Sequence, residues 1–329
     1  MSGVQTIPVS EDEDGLRVDR WFKRRFPGIG HGRLEKLLRT GQVRVDGGRC
    51  KSNTRLVSGQ EVRVPPLPDE AARERRKRSA PQVSARDLQD IQDTVLHMDR
   101  HVVAINKPPG LAVQGGTGTA KHVDALLDGL RFDAKERPRL VHRLDKDTSG
   151  VLLLARSAKS AAMLGEAFRS KEARKVYWAI VAGVPRPAMG RIDLSLEKRP
   201  GRGGEKMAAD EEGKRAITDY KIVANAARRA SWLVLEPVTG RTHQLRVHCQ
   251  AIGTPILGDG KYGGKDAFIE GDSPISRNLH LHARGIQIPN PGGGMLEVIA
   301  PLPEHMVKTW RYFEFDERDE AEPFLEWRE

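Results

Sequence analysis

Cysteine is nearly missing from this chain: Cys50 and Cys249 are the only two in 329 residues, far apart and without a Cys-x-x-Cys partner. That argues against a disulfide framework and a zinc ribbon alike, and leads us to expect a reducing, cytoplasmic setting. Long apolar runs are also lacking, and no stretch approaches the roughly 18 residues of a membrane-spanning helix. No membrane partner is expected. The first residues lack the basic, apolar character of a leader; Glu11, Asp12, Glu13 and Asp14 instead make residues 1–14 read as an acidic tail. Over the whole chain negative charge is the scarcer sign, with 45 acidic residues against 55 Lys and Arg, a net charge of +10 and a pI near 9.7. The excess points to a polyanionic partner, nucleic acid ahead of an acidic membrane surface. Hydrophobic residues make up 38% and recur in short runs, which rules out wholesale disorder, and the length predicts two or three domains.

Along residues 15–66, Val18, Trp21, Phe22 and Phe26 recur at helical spacing among Arg17, Arg20, Lys23, Arg24 and Arg25. Pro27-Gly28 breaks the pattern. A second short helix follows, with Leu34, Leu37 and Leu38 inward and Arg33, Lys36 and Arg39 outward. Val43 and Val45 then alternate with polar residues, Arg44 among them, before an Asp46-Gly47-Gly48 turn and a strand through Val62 and Val64. So many cations on a small unit favour phosphate binding over a merely solvated face. Residues 67–93 read as a basic linker, carrying Arg73, Arg75, Arg76, Lys77 and Arg78.

From residue 94 the texture is mixed helix and strand. A hairpin is predicted around Asp99-Arg100, followed by a loop from Lys107 through Gln114 to Gly116. Ser157 is placed to cap a helix with Ala161, Leu164 and Phe168 inward. Strands are expected at 176–182, 218–223 and 231–235, with an exposed excursion at 199–215. Residues 314–329 form a second acidic tail holding Phe315, Phe324, Leu325 and Trp327.

Several tempting motifs fail. Gly28-Ile29-Gly30 meets Arg33 where a dinucleotide fingerprint needs Gly, and the phosphate-loop spacing at 253–258 ends on Asp259 instead of Lys. His243 and His248 are five apart, without a metal-ligating companion, and no metal is expected. Asp145 and Asp147 stand too close to flank a sugar from opposite sides. Three stretches remain. His142-Arg143-Leu144-Asp145 opens a Thr148-Ser149-Gly150 turn and a fully apolar strand, so Asp145 is either a turn-capping residue or a carboxylate held ionised among cations. Tyr177 interrupts an apolar strand and is either core or an aromatic platform. In Gly240-Arg241-Thr242-His243-Gln244-Leu245-Arg246-Val247-His248, Leu245 and Cys249 bury one helical face, while His243, Arg246 and Arg241 point elsewhere.

Together these stretches resemble the RluA family of pseudouridine synthases. The His-Arg-Leu-Asp-x-x-Thr-Ser-Gly signature is complete at 142–150, with Lys146 and Asp147 at its two variable positions. The Gly-Arg-Thr-His-Gln-Leu-Arg-Val-His run lies at 240–248 and Gly-x-Pro-Ile-Leu-Gly-Asp at 253–259. Lys107-Pro108-Pro109-Gly110 is similar to the family's Lys-Pro-x-Gly loop, although Gln114 stands where many members have His. Residues 15–66, with Gly-Gln-Val-Arg-Val-Asp-Gly at 41–47, resemble the alpha-L RNA-binding domain. The resemblance implies an α+β chain: a small N-terminal α/β RNA-binding domain, then a catalytic domain at 94–313 with a central, mainly antiparallel mixed sheet flanked by helices. It implies a monomeric, cofactor-free isomerase acting on large-subunit ribosomal RNA or its precursor particle, leaning to the RluC type. Asp145 would be catalytic, Arg246 its charge partner with Arg241 second, and Tyr177 the platform for the target base. Substrate contacts would come from His142, Arg143, Arg241, His243 and Lys107, and from Arg20, Arg33, Lys36, Arg39 and Arg44 of the N-terminal module. Transfer RNA is the alternative substrate, and a non-catalytic ribosome-associated RNA-binding protein the alternative class.

Overall fold

A computed structural model describes residues 3–26, 29–67, 83–115, 121–201, 204–269 and 274–320. The expectations for Pro27-Gly28, most of the basic linker, Gly116, Phe324, Leu325 and Trp327 lie outside these residues. The chain divides into two compact units, Met1–Pro81 and Gln82–Glu329.

The first unit contains β1 (Gln5–Pro8), α1 (Val18–Arg25), α2 (His31–Arg39), β2 (Arg44–Val45), β3 (Gly48–Arg49) and β4 (Glu61–Val64), with sheet order β1-β4-β2-β3. Trp21 and Phe22 from α1 and Leu34, Leu37 and Leu38 from α2 share one core with Val43 and Val62. Asp46 and Gly47 both take positive φ, as a two-residue hairpin turn requires, so that Val45 faces Gly48. The acidic tail expected at 1–14 is corrected here: β1 pairs with β4, and the acidic residues grip α1. Glu13 is buried, accepts from Trp21 Nε1 at 3.0 Å and pairs with Arg25 at 2.6 Å, while Asp12 pairs with Arg24. A carboxylate in so small a core has to be paired, and basic α1 supplies the partners.

The second unit runs through α3 (Ala85–Gln92), β5 (Val95–Met98), β6 (Val102–Lys107), α4 (Val123–Leu126), β7 (Arg139–Leu140), β8 (Ser149–Ala155), α5 (Ala158–Arg169), β9 (Arg174–Ala182), β10 (Met189–Gly201), β11 (Gly204–Ala209), β12 (Lys214–Ala226), β13 (Ala230–Pro237), α6 (Gln244–Ala251), β14 (Leu281–Pro289), β15 (Met295–Ile299) and α7 (Glu304–Tyr312). Its sheet has the order β11-β10-β12-β13-β9-β14-β8-β6-β5, with β15 on β14 and β7 on β8. Among these pairs β8 with β14 is parallel and the others are antiparallel. That is the mainly antiparallel mixed sheet that the resemblance implies.

β8 is buried at every position because both faces are covered. Val151 and Leu153 pack with Leu164 of α5, and Leu152 and Leu154 with Val123 and Leu126 of α4. Farther along the sheet, Trp178 and Trp232 meet Trp310 of α7, and Ala179 and Leu233 meet Leu245 and Cys249 of α6. Two boundaries shift from expectation. Ser84 caps α3 by accepting from the Asp87 amide, so a helix occupies the end of the expected linker. The excursion expected at 199–215 is mostly strand, because β10, β11 and β12 alternate inward Leu196 and Ala216 with charged residues facing water. Phe315 of the second acidic tail packs on Trp232 and Trp310.

Candidate active site

Asp145 sits at the head of a turn that is fastened from several sides. Its carbonyl accepts from the Thr148 amide at 3.2 Å, and at the next residue, Ser149, the chain enters β8. Ser149 donates to His282 Nδ1 at 2.9 Å, and His282 Nε2 donates to the Ala300 carbonyl at 3.1 Å. Gly150 has φ of 107°, and a Cβ there would overlap the Ala283 carbonyl across the parallel β8–β14 contact. Lys107 completes the mount. It is fully buried and donates to the carbonyls of Pro108, Leu111 and Lys146 at 2.8–3.0 Å. This corrects its expected role: all three ammonium protons are engaged in holding the Asp145 turn, leaving none for substrate. Burial pushes its pKa down to about 7, with Asp147 and Asp145 opposing the shift. His142 is also corrected. Its Nε2 accepts from the Leu153 amide at 2.8 Å and its ring stacks on Phe168, so it braces the signature rather than carrying charge to RNA. Burial, helped by Lys175, pushes its pKa down to about 3.

The three stretches meet at one open pocket of about 440 Å³, lined by Asp145, Tyr177, Arg241, His243 and Arg246 among others. Asp145 is the single carboxylate among its described lining residues, against Arg143, Arg169, Lys171, Lys175, Arg241 and Arg246. Tyr177 comes from β9, opposite Ala283 of β14, on the face that α6 covers. Burial, and secondarily Asp145, hold its phenol proton on well above the usual range. Burial brings the Lys175 ammonium down to about 8. Arg143 and Arg241 are exposed at the rim, and Arg241 Nε donates to the Arg215 carbonyl at 3.3 Å.

The expected Arg246–Asp145 pair is not formed. Instead Arg246 makes a two-pronged bridge to Asp259, Nε to Oδ2 at 2.8 Å and Nη2 to Oδ1 at 2.7 Å, with both side chains buried. Asp259 is a residue that sequence reasoning passed over, although it closes the Gly-x-Pro-Ile-Leu-Gly-Asp motif. A guanidinium this deep needs a bidentate acid, and Asp145, 18% exposed at its side chain, is left facing the pocket. Its nearest ionisable neighbour in an ion-pair geometry is His243, whose Nε2 lies 3.8 Å from Oδ1. Gln244, also overlooked, is a buried knot. It donates to the Ile217 carbonyl and Thr218 Oγ1 and accepts from Thr239 Oγ1 and the Arg241 amide, which ties the loop before α6 to β12. His248 is fully buried against Thr218 Oγ1 at 2.9 Å and faces the core.

In the other unit, Arg20, Arg33, Lys36 and Arg39 are exposed and have no ion-pair partner among the described residues. Arg44 is exposed too, but its guanidinium donates to the carbonyls of Gly41 and Gly47.

Comparison with known proteins agrees with this geometry. Residues 101–251 match a family model described as RNA pseudouridylate synthase. Ribosomal large subunit pseudouridine synthase C of Escherichia coli K12 is 35% identical over 306 residues, covering 92% of this chain and 94% of that protein. The protein of the same name from Haemophilus influenzae is 36% identical over 295 residues, 89% of each chain. Among solved structures, human RNA pseudouridylate synthase domain containing 4 superposes with a TM-score of 0.57 at 29% identity, over 69% of this chain and 95% of that one. With the signature carboxylate, the strand tyrosine and the Gly-Arg-Thr-His-Gln-Leu-Arg helix all opening on one pocket, and with relatives matched over nearly their full length, the chain belongs to the RluA family of RNA pseudouridine synthases.

Proposed function

We propose that this enzyme isomerises specific uridines of large-subunit ribosomal RNA, with Asp145 as its catalytic carboxylate. The observation that carries the reading is a lone acid, Asp145, facing a cation-rimmed pocket beside an aromatic ring. The reaction exchanges the N1–C1′ bond of uridine for a C5–C1′ bond; C5 loses a proton and N1 gains one, so nothing is consumed. It requires a carboxylate near the sugar and a surface that keeps the detached base from escaping. Tyr177 supplies that surface, and stacking on an aromatic ring contributes about 1–3 kcal/mol per base. Flipping the uridine out of its stack costs a few kcal/mol. Phosphate contacts from Arg143, Arg169, Lys171 and Arg241 offset it. Arg246, committed to Asp259, raises the local positive potential without quenching the Asp145 carboxylate. The exposed cations Arg20, Arg33, Lys36 and Arg39 fit an auxiliary RNA grip, and the substrate assignment is supported by relatives whose names specify the ribosomal large subunit.

Asp145→Asn keeps the side-chain shape and removes the charge. Isomerisation should vanish while RNA affinity stays within about threefold, because the phosphate contacts remain. A variant that still turns over, or one that loses binding in parallel with activity, contradicts the assignment.

A further inference from the structure

Behind the pocket, His243 makes an interaction that the reaction as described does not use. Tyr262, in the loop after α6, has its hydroxyl 2.6 Å from His243 Nδ1 and accepts there from the Met207 amide of β11 at 3.2 Å. On its other ring nitrogen His243 faces Asp145. We propose that Tyr262 and His243 are positioning residues for Asp145: the phenol fixes the imidazole tautomer so that a neutral Nε2–H is held toward the carboxylate. The proposal rests on Asp145 being the catalytic residue.

Proton accounting favours this arrangement. The Tyr262 oxygen receives the Met207 N–H, and the acceptor within reach of its own proton among the described residues is His243 Nδ1. With Nδ1 accepting, the neutral ring carries its hydrogen on Nε2. Nε2 lies 3.8 Å from Asp145 Oδ1, beyond a hydrogen bond, and contacts of this kind tighten once substrate fills the site. The backbone supports a dedicated geometry. His243 sits at φ 52°, ψ 20° just before α6, a left-handed conformation uncommon outside glycine, and the Gln244 knot holds the loop there. Tyr262 is fixed in turn. Its amide donates to Asp259 Oδ1 at 3.1 Å and its ring lies 5.0 Å from the Arg246 guanidinium carbon, so one carboxylate orients both Arg246 and Tyr262.

The charges around the imidazole agree. Burial, Arg246 and Lys261 lower its pKa against the opposing pull of Asp145 and Asp259, a balance that favours the neutral ring. A neutral donor can orient a carboxylate without neutralising it, which suits an acid that must remain reactive. The chain of contacts from Met207 through Tyr262 and His243 also links the β10–β11 hairpin to Asp145.

The test combines ring-nitrogen NMR with single-turnover kinetics on the full-length protein. With 15N-labelled histidine and no RNA, His243 should show a bare Nδ1 and a protonated Nε2, and Tyr262→Phe should shift that pattern. A proton on Nδ1 in the wild type, or no change in Tyr262→Phe, overturns the dyad. Kinetically, Tyr262→Phe should slow the bound-state rate about tenfold, the scale of one lost hydrogen bond, with RNA affinity within twofold. In a His243→Gln background the amide nitrogen replaces Nε2 and needs no tautomer, so Tyr262→Phe should cost nothing more. Equal losses in both backgrounds would mean that Tyr262 is merely structural, and would overturn the proposal. Should Asp145→Asn retain activity, the catalytic reading falls while the tautomer result still stands, so the two failures are distinguishable.

Discussion

Arg246 and Asp259 show how a residue can serve a reaction without touching the reacting carboxylate. Their bidentate bridge is buried on both sides, and Asp259 also accepts from the Tyr262 amide. Removing the acid strands a charge in the core. Asp259→Ala should therefore lower unfolding stability by about 3–5 kcal/mol in denaturant titrations and cost most of the activity. Stability within about 1 kcal/mol of wild type would show that the guanidinium finds another partner. At this scale Asp145, Tyr177, Arg246 and His243 were marked as members of one site through the family resemblance, whereas the residues by themselves left Asp145 as turn cap or carboxylate and Tyr177 as core or platform. The resemblance was misleading for Lys107 and His142. A cation inside a signature looks like a substrate contact, and nothing in the string reveals that three carbonyls surround Lys107 or that an amide points at His142. Asp259 and Gln244 were hidden for the same reason: their partners are distant in sequence.

Among elements, β8 was the most legible, since an unbroken Gly-Val-Leu-Leu-Leu-Ala run has little alternative to burial on both faces. Its entry point is the vulnerable one. Gly150→Ala must leave positive φ and clear the Ala283 carbonyl, which disturbs the β8–β14 contact under Asp145. Thermal melts should show a loss of more than about 2 kcal/mol; a neutral substitution would mean that this contact yields easily. The β10–β12 strands were less legible because charged side chains on their wet faces masked a period of two. The N-terminal acidic run misled for a different reason: its pairing with α1 spans twelve residues, beyond any local pattern. Hydrogen bonding from Arg25 lowers the Glu13 pKa from 4.5 to about 2. The sign follows from that depression. The contribution is complete above about pH 4.5, where an unfolded chain has its carboxylate ionised, and is lost as pH falls toward 2. Hydrogen exchange in α1 should accelerate over that window, and Glu13→Gln should accelerate it already at neutral pH, by about 2 kcal/mol of protection. An unchanged α1 in Glu13→Gln would show that the pair is dispensable.

The whole molecule is a strongly basic chain in two units, and the charge is unevenly committed. Arg24 and Arg25 are used internally, whereas Arg20, Arg33, Lys36 and Arg39 remain exposed. If those four contact phosphates, replacing them with Gln should weaken ribosomal RNA binding and flatten the log–log salt dependence by about two to three, since each phosphate contact adds roughly 0.7 on single strands. An unchanged slope would remove the first unit from RNA recognition. The α+β architecture and the reaction class were open to reading from the sequence; the relative importance of the two units for substrate choice was not, because recognition sums weak contacts that carry no motif. The most direct measurement is pseudouridine mapping on unmodified large-subunit ribosomal RNA after single-turnover incubation with the full-length enzyme. Conversion should occur at a few discrete uridines with wild type and at none with Asp145→Asn. Unconverted ribosomal RNA from the wild-type incubation, with or without conversion of transfer RNA in a parallel reaction, would contradict the proposed substrate.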